Sequence, residues 1–558
     1  MIPATSRGRR WLGGRDAVDD WVPQPHERSP IPGSPASPAH PFERRLAFAA
    51  ISALVGITGG LGNGIVTANL SSLQGELGLY PAEAAWLPTV YVMTNVVSGL
   101  LLVKFRQQYG LRLFVQIFLV GYVLATAAHL VAHSFASAIV VRAFSGISAA
   151  SLSTLGLLYM MQAFKPEWRL KGIVFAVGIP QLAVPLARLF PSELLEAGQW
   201  QTFYIFELGL ALLSLAAVRW LPLPPGERFK AFEPMDFLTF ALVAPGLALL
   251  CAVLGLGRVL WWFNAPWLGY ALCASVVLLT LGFSIEHRRA NPLLNTRWLG
   301  SGDILRFALV AILTRVVLAE QTTGAVGLLT TLGLGNEQMR GLFGVILIAS
   351  IAGMVVGSIT LNPGFLGKPI LISLALIAVG AFLDMGATNL TRPPQMYASQ
   401  AILGFAALLF IGPALLVGLT RALAAGPSHF VSFSVLFSVT QSMGGLIGAA
   451  LVGTFQTVQT RVHLVQLGNQ VSLADPLAAA RVGSGGAGLG RVLGDPALRQ
   501  AEGVALIAQS LTREANILAY DDVFRLIGVM ALVTMLWASI HITRIQRARR
   551  LAAKLSKS

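Results

Sequence analysis

Charged residues are scarce in this chain of 558 residues. They make up 12% of it, whereas hydrophobic residues make up 55%. A soluble domain carries about twice that charged share. Cysteine is nearly absent as well: Cys251 and Cys273 are the only two, and both lie in apolar runs, where a thiol acts as a small packing residue. The composition therefore excludes a string of ordinary soluble domains and a disulfide-stabilised framework.

Sequence motifs for ATP hydrolysis and for common hydrolytic chemistry are also missing. The chain contains no GxxxxGK[ST] phosphate loop, no HExxH and no GxSxG. His129 and His133 have a spacing that can hold a metal ion, but no third ligand lies near them in the sequence. We therefore expect neither an enzyme nor an ATP-driven pump, and we expect no metal and no cofactor.

Long apolar runs take the place of the missing charge. A helix needs about 20 mostly apolar residues to cross a bilayer, and it satisfies its own backbone hydrogen bonds in lipid. Fourteen runs meet this requirement, so the sequence predicts an all-α polytopic membrane protein. The predicted spans are 46–69, 83–103, 113–132, 136–162, 172–190, 201–221, 236–257, 266–285, 304–331, 339–361, 369–387, 395–422, 430–455 and 521–542.

The fourteen spans divide into six, two and six. A Pro-rich basic stretch precedes the central pair and a polar basic stretch follows it, so this pair joins two larger groups. One long outside loop, 456–520, acts either as a spacer or as a docking surface for a periplasmic adaptor protein. The predicted parts are a Pro-rich disordered cytoplasmic tail (1–45), an N-terminal six-helix bundle (46–221), the two added helices with cytoplasmic linkers (222–303), a C-terminal six-helix bundle (304–542) and a basic cytoplasmic tail (543–558).

The net charge of +15 is concentrated in the two tails and in alternate loops. The loop between spans 2 and 3, for example, holds Lys104 and Arg112. The short loops on the other side of the membrane hold only Arg258, Arg340 and Arg392. This asymmetry is the positive-inside pattern, which places both termini in the cytoplasm. It accounts for the charge without nucleic acid, which we do not expect as a partner.

Charged residues inside apolar spans are candidates for function, because burying them in lipid is costly. Arg142 lies in span 4, with a purely structural tether as the alternative role. Glu207 lies in span 6, with an interfacial glutamate as the alternative. Arg315 and Glu320 share span 9 but lie about 500° apart around the helix, so we expect each to contact other helices.

Two polar residues of the C-terminal group have different predicted surroundings. Asp384, at the end of span 11, is predicted to be a solvated end charge. Gln441 lies in span 13 among small and hydroxyl residues, where we expect it to add a hydrogen bond inside a cavity.

Span 5 is predicted to be kinked. Pro180 follows Gly178, and Pro185 comes five residues later; each proline removes a helix hydrogen bond. Kinked helices line substrate paths in transporters, and a bend needed only for packing is the alternative. Arg188 near the end of this span is a further candidate, with snorkelling to the interface as its alternative.

Taken together, the pattern resembles the major facilitator superfamily, in particular its fourteen-span drug:proton antiporters. The central pair carries the most specific likeness: it begins at Asp236 and ends at Glu286, and an Asn-Pro-Leu-Leu run at 291–294 follows. In span 4, Arg142 and Gly146 resemble the arginine and glycine of the family's motif.

Other family motifs are incomplete. In span 5, Pro185 resembles the proline of the antiporter motif, but Arg188 stands where the family has a glycine. In the loop after span 2, Gly110 and Arg112 fit the family's gating motif, while glutamines 107 and 108 replace its charged pair. Span 1 lacks the family's aspartate near Asn63.

The resemblance implies a secondary transporter of the bacterial inner membrane that works by alternating access. It implies export of drugs or other amphipathic or hydrophobic compounds in exchange for protons. Glu207 and Glu320 are then the carboxylate candidates for proton coupling, with Arg142 and Arg315 as their charge partners. A facilitator or a differently coupled exchanger is one alternative. A membrane sensor or assembly component that transports nothing is another.

Overall fold

The structure is a computed structural model that describes residues 27, 33–190, 201–362, 365–426, 429–472, 474–488 and 490–555. Most of the predicted N-terminal tail and the last residues of the C-terminal tail lie outside the described residues. Within the described ranges the chain is helical, and the one extended pairing is a single bridge between Pro35 and Gly226. The predicted all-helical fold is confirmed.

Eleven of the described helices are long and apolar enough to cross a membrane. Helix α3 contains two predicted spans, a π-turn interrupts the ninth, and the eleventh is a 17-residue helix, so the fourteen predicted spans fit the described helices. The helices are α1 Phe42–Ala68, α2 Leu70–Glu76, α3 Pro81–His129, α4 Phe135–Ala163, α5 Arg169–Gly178, α6 Ala183–Ala187, α7 Gln201–Trp220, α8 Pro234–Leu260, α9 Pro266–Arg288, α10 Thr296–Leu299, α11 Gly302–Val317, α12 Val326–Thr331, α13 Arg340–Ile359, α14 Gly367–Leu383, α15 Tyr397–Ala425, α16 His429–Gln470, α17 Pro476–Ala487 and α18 Pro496–Leu555.

Helix α3 is broken at Gly110, where the predicted loop between spans 2 and 3 lies. The backbone there has φ 83° and ψ 168°, a conformation that glycine adopts without steric cost. A Cβ at this position would also collide with the guanidinium of Arg228 in the linker that precedes α8. Glycine at this turn thus lets the linker pack against the end of span 2. Arg112 follows it and is exposed.

Helices pack into two halves with the added pair against their edge. In the N-terminal half α4 packs against α1 and α3, and in the C-terminal half α15 packs against α13 and α14. The halves meet where α5 contacts α13 and α15, and where α3 contacts α16. Helix α8 packs against both α3 and α16, whereas α9 packs mainly against α8 and is the least buried of the eleven candidate spans.

Glycines allow close packing between the halves. A Cβ at Gly178 of α5 would fall 2.5 Å from Met354 Sδ of α13. A Cβ at Gly412 of α15 would fall 2.7 Å from a methyl group of Val174. Since lipid tails are as apolar as these side chains, close van der Waals contact through small residues is what holds such helices together.

The described part of the N-terminal segment is ordered by contacts with the rest of the chain. Ser34, Ala36 and Ser37 are buried, the backbone N–H of Ala36 donates to Pro225 O at 3.1 Å, and Gln162 Nε2 donates to Ala36 O at 3.0 Å. Burial lowers the pKa of His40 to about 4, although its hydrogen bond to Gln162 Oε1 opposes this shift. Helix α1 begins at Phe42, so the disordered tail predicted over 1–45 extends too far.

Candidate functional site

Arg142 of α4 anchors the N-terminal half. Its Nη1 donates to Gly62 O and its Nη2 to Asn63 Oδ1, both at 2.7 Å, and its Nε donates to Leu87 O at 3.3 Å. The guanidinium also lies 4.5 Å from the centre of the Tyr91 ring. The side chain is 1% exposed, and every acceptor is uncharged. Arg142 therefore joins α1, α3 and α4 through uncharged acceptors, and it makes no ion pair among the residues that the structure describes.

Glu207 of α7 is buried beside the same part of α1. Its Oε1 accepts a hydrogen bond from the Tyr122 hydroxyl at 2.8 Å, and its Oε2 has no hydrogen-bond partner among the described residues. A Cβ at Gly62 would fall 2.5 Å from that hydroxyl and 2.9 Å from Oε1, so only glycine leaves room for this pair. The interfacial alternative for Glu207 is wrong, because the residue is 1% exposed inside the protein.

The C-terminal half contains a pair of acidic residues, Glu320 and Asp384. Gln400 Nε2 lies 3.1 and 3.2 Å from the two carboxyl oxygens of Glu320 and 2.8 Å from Asp384 Oδ2. Ser399 Oγ donates to Asp384 Oδ1 at 2.5 Å. One amide group thus joins two acids that the sequence places 64 residues apart.

Local structure directs both acids inward. Glu320 starts the π-turn Glu320–Ala325, which interrupts the helical path between α11 and α12; π-turns are frequent at functional sites. Asp384 is the residue after α14, and Ser399 and Gln400 at the start of α15 cover it. The solvated end charge predicted for Asp384 is therefore wrong: the residue is 6% exposed.

Arg315 of α11 has a different environment. Its Nε is buried without a hydrogen-bond partner, and it makes no ion pair among the residues that the structure describes. Its side chain runs along α16, where a Cβ on Gly444 would fall 2.8 Å from the Arg315 Cβ and one on Gly445 would fall 3.7 Å from Nη2. Gln441 lies one turn earlier on α16, and both of its amide atoms are buried without a partner.

The two predicted charge pairs are not formed within the described ranges. Arg142 contacts Asn63 and backbone oxygens instead of Glu207, and Glu320 contacts Gln400 instead of Arg315. The expectation that Glu320 reaches another helix is confirmed. Gly146, one turn further on α4, permits tight contact of α4 with the Tyr91 carbonyl of α3.

Span 5 is interrupted as its prolines predict. Helix α5 ends at Gly178, a 3₁₀ turn covers Ile179–Leu182, and the short α6, which contains Pro185, follows. Pro180 lies in the turn, and a Cβ on Gly60 of α1 would fall 2.5 Å from its carbonyl oxygen. The bend therefore packs directly against α1.

Arg188 connects the two halves beyond α6. Its Nη1 donates to Asn336 Oδ1 at 2.8 Å, and its guanidinium lies 5.1 Å from the centre of the Phe343 ring. Asn336 in turn donates to Ala68 O at 2.9 Å and to Asn69 Oδ1 at 3.0 Å. Because Arg188 is held by the C-terminal half, snorkelling does not describe it.

A network of ion pairs lies at the end of the molecule that carries the basic linkers. Lys104 Nζ lies 2.7 Å from Asp236 Oδ2, and Arg289 lies 2.9 Å from Asp236 Oδ1 and 2.6 Å from Glu286 Oε1. Although burial lowers the pKa of Arg289, hydrogen bonds with Glu286, Glu233 and Asp236 hold it above the ordinary value. The two acids that begin and end the central pair are thus both neutralised.

The linker after α9 connects this network to the C-terminal half. The Leu294 N–H donates to Glu286 Oε2 at 3.0 Å, and the Asn295 N–H donates to Ser432 Oγ of α16 at 2.8 Å. On the N-terminal side, Gln108 Oε1 accepts from the backbone N–H of Ala231 and of Phe232. The glutamine that replaces a charged residue of the gating motif therefore holds the linker before α8.

Sequence reasoning missed four contributors to these sites: Asn63, Tyr122, Ser399 and Gln400. A polar Ser-Gln pair at the start of an apolar span is a signal that was available for the last two. The acids that Gln400 contacts are determined by the packing of α11, α14 and α15, and a single sequence does not show that packing. No group of three metal-ligating side chains occurs in the part of the chain that the structure describes.

Comparison with known proteins gives a family match and several similar folds. The model of the Major Facilitator Superfamily matches residues 52–449. The chain is 22% identical over 496 residues to the multidrug export protein EmrB of Haemophilus influenzae, covering 85% of this chain and 91% of that protein. It is 24% identical over 483 residues to the multidrug resistance protein B homolog of Mycobacterium tuberculosis, covering 81% and 86%.

Two solved structures show a similar fold at low sequence identity. The proton:xylose symporter XylE, bound to 6-bromo-6-deoxy-D-glucose, has a TM-score of 0.53 at 14% identity, with 89% of this chain and 95% of that chain covered. A bacterial homolog of the human lysosomal transporter Spinster, in an inward-facing conformation, has a TM-score of 0.52 at 14% identity, with 90% and 98% covered.

Proposed function

This chain belongs to the Major Facilitator Superfamily, and we propose that it exports amphipathic or hydrophobic compounds in exchange for protons. It is a multi-pass membrane transporter with a small-molecule substrate, not an enzyme. Export of drug-like compounds is the finer part of the proposal. It is supported by the two relatives whose names describe multidrug export and multidrug resistance.

The carboxyl pair in the C-terminal half carries the proposal of proton coupling. Glu320 and Asp384 share the single amide group of Gln400, and no cation lies within ion-pair distance of either acid among the described residues. Two carboxylates held this close repel each other, and burial removes the water that would screen them. A bound proton relieves that repulsion, so binding and release of a proton change the local charge.

Glu207 is the proton-binding candidate of the other half. Its Oε1 is held by Tyr122, whereas its Oε2 is buried and has no partner within the described ranges, so it is available to carry a proton. Asn63 stands near the place where the family has an aspartate in span 1. We therefore assign coupling to Glu320 with Asp384, and to Glu207, in place of that aspartate.

Orientation follows from the basic loops. The proposal places both termini and the network of Lys104, Asp236 and Arg289 on the cytoplasmic side of a bacterial inner membrane. Alternating access then requires that the two halves rock against each other. Opening the outer side breaks the bonds of Asn336 with Arg188 and Asn69. At the inner side, the same motion pulls on the linker after α9, because its Asn295 N–H is bonded to Ser432 of α16.

Transport in purified proteoliposomes tests the proposed coupling. An imposed pH gradient should drive movement of amphipathic dyes across the membrane. The dyes tested are ethidium, N-phenyl-1-naphthylamine and 8-anilinonaphthalene-1-sulfonate. A pH-sensitive dye trapped inside the liposomes measures the counter-movement of protons. The variants are Glu207→Gln, Glu320→Gln and both together. The control is Asp303→Asn, an acid on α11 that is 61% exposed.

The expected result is gradient-driven dye movement in the wild type and in Asp303→Asn, and its loss in the double variant. Movement that stays fully gradient-dependent in the double variant would overturn the assignment of these acids. Dye movement down its own gradient with no proton counter-movement would identify a facilitator. No movement of any dye by verified, folded protein would favour a membrane sensor or assembly component.

A further inference from the structure

We propose that Arg315 and Gln441 form a subsite for an acidic group of the transported compound, a carboxylate or a sulfonate on an amphipathic molecule. This inference rests on the proposed function and specifies its substrate class. The subsite lies on the facing surfaces of α11 and α16 in the C-terminal half. It is separate from the carboxyl pair of Glu320 and Asp384.

Arg315 lacks the hydrogen bonds that satisfy Arg142 and Arg188. Arg142 donates to three oxygens, and Arg188 donates to Asn336. Arg315 has neither a hydrogen bond at its buried Nε nor an ion pair among the described residues. A guanidinium inside an apolar bundle is costly unless a partner satisfies it. A transported anion supplies such a partner.

Gln441 adds a second polar arm beside Arg315. Both its amide nitrogen and its amide oxygen are buried without a partner, which is uncommon for a buried polar group and requires an explanation. Gln441 precedes Gly444 and Gly445 by three and four residues, so all three share one face of α16. The Arg315 side chain lies along those two glycines, and the amide and the guanidinium therefore approach the same region.

The position of this face agrees with a substrate site. Three residues before Gln441, Ser438 Oγ lies 3.8 Å from where a Cβ on Gly99 of α3 would be, so α16 meets the N-terminal half here. Transporters of this type bind substrate between their two halves. The glycines at 444 and 445 let the α16 backbone pack directly against the Arg315 side chain.

The charges of the site favour an anion over a cation. Glu320 and Asp384 of this half are held by Gln400 and Ser399 and make no bond with Arg315. A cationic compound would be repelled by the unmatched guanidinium. A carboxylate or sulfonate accepts two parallel hydrogen bonds from a guanidinium, and the Gln441 amide provides one more donor.

A matched pair of dyes tests the subsite. The dyes 8-anilinonaphthalene-1-sulfonate and N-phenyl-1-naphthylamine share one aromatic skeleton, and only the first carries a sulfonate. Binding to the full-length protein in lipid nanodiscs is measured by fluorescence titration without any pH gradient. The variants are Arg315→Gln, Arg315→Lys and Gln441→Leu. Arg306→Gln, which changes an exposed arginine on the same helix α11, is the control.

We expect Arg315→Gln to weaken sulfonate binding about tenfold, the size of one charged hydrogen bond, and to leave binding of the neutral dye unchanged. Arg315→Lys should retain part of the preference because it keeps the charge but loses the paired donors. Gln441→Leu should weaken sulfonate binding about threefold. Arg306→Gln should match the wild type for both dyes.

Equal affinity of wild type and Arg315→Gln for the sulfonate, or an equal loss for both dyes, would overturn the subsite. Should Arg315→Gln fail to fold, as judged by its thermal unfolding in detergent, Gln441→Leu decides by the same ratio of affinities. Because the titration needs no gradient, a protein that selects the sulfonate but moves no protons would refute the proposed coupling and leave the subsite intact.

Discussion

The two halves of the molecule treat buried charge in opposite ways. In the N-terminal half, Arg142 donates to three uncharged oxygens, and Glu207 accepts from Tyr122. In the C-terminal half, Glu320 and Asp384 share one amide group, and Arg315 makes no ion pair among the described residues. Arg142 is thus satisfied by its acceptors, whereas Arg315 and the acid pair of the C-terminal half are incompletely matched.

This difference between the halves indicates which charged groups can bind a proton or an anion. A charge with all its hydrogen bonds made is held in one arrangement, and changing it mainly costs stability. A charge without a matched partner changes its state when a proton or an anion arrives. We therefore expect Arg142 to act as a scaffold of the N-terminal half and Glu207 to bind a proton there, and we expect the C-terminal half to determine coupling and substrate class.

The largest effect is expected from the acid pair. Glu320→Gln and Asp384→Asn, made together, replace two carboxyls with amides that cannot exchange a proton, while nearly keeping their shape. Gradient-driven dye transport in proteoliposomes should fall about a hundredfold, the scale of losing a proton-transfer group. Glu207→Gln alone should have a smaller effect, because it removes one acid that has no acidic neighbour in contact with it.

The thermal unfolding midpoint of the acid-pair variant should stay near that of the wild type, since the hydrogen-bonded shapes are kept. Full gradient-driven transport by this variant, with Glu207→Gln inactive, would reverse the comparison between the halves.

The next effect concerns stability of the N-terminal half. Arg142→Met removes the three hydrogen bonds of the guanidinium and leaves Asn63 Oδ1 without its donor. The expected loss is about 3 kcal/mol of unfolding free energy, the scale of hydrogen bonds to a charged group. It is measured as a lower thermal midpoint in detergent and a lower yield of monodisperse protein. Arg315→Met is the matched variant in the C-terminal half, and it should leave the midpoint unchanged or raise it, because it removes a cation whose buried Nε has no hydrogen-bond partner.

A similar drop in both variants would mean that Arg315 is satisfied in the folded protein, which would remove the contrast between the two arginines.

Sequence reasoning predicted the helices far better than the contacts of the sites. Fourteen apolar runs, the kink in span 5 and the turn at Gly110 follow from local rules on run length, proline and glycine. Glu207 and Glu320 were found because an acid in an apolar run is conspicuous. Their partners were not found, since Tyr122 is 85 residues from Glu207 and Gln400 is 80 residues from Glu320.

Asp384 illustrates why the rest could not be predicted. A carboxylate at the end of an apolar run is predicted to be a solvated charge. The prediction is wrong here because Ser399 and Gln400 of α15 cover Asp384. The same holds for Arg188. Sequence alone allows it to snorkel to the membrane interface, and only the packing of the two halves places Asn336 beside it. Contacts between distant helices decide both cases, and they depend on tertiary packing.

Packing around Glu207 gives a smaller effect. Gly62→Ala places a methyl group 2.5 Å from the Tyr122 hydroxyl and 2.9 Å from Glu207 Oε1, so the pair must separate. The expected cost is about 2 kcal/mol, typical of an overpacked core. Gly209→Ala on α7 is the control, because a Cβ there meets no atom within 4 Å, and its midpoint should be equal to or above that of the wild type. Equal thermal midpoints of the two variants would show that the region around Tyr122 and Glu207 accommodates the added methyl group without loss of stability.

The smallest effect tests whether α1 can carry a carboxylate beside Arg142. Asn63→Asp places an acid where Arg142 Nη2 already donates at 2.7 Å, so the geometry needs no change. A charge-assisted hydrogen bond is about twice as strong as a neutral one, and we expect a gain of about 1 kcal/mol in unfolding free energy. Asn63→Ala removes the acceptor and should lower the thermal midpoint.

A midpoint for Asn63→Asp at or below that of Asn63→Ala would show that repulsion from Glu207 exceeds the attraction of Arg142. The N-terminal half would then exclude a second acid for electrostatic reasons, because one arginine cannot neutralise two buried carboxylates. The C-terminal half holds two acids without any cation in ion-pair contact among the described residues. That outcome would confine paired acids to the C-terminal half and strengthen its assignment as the half that binds the proton.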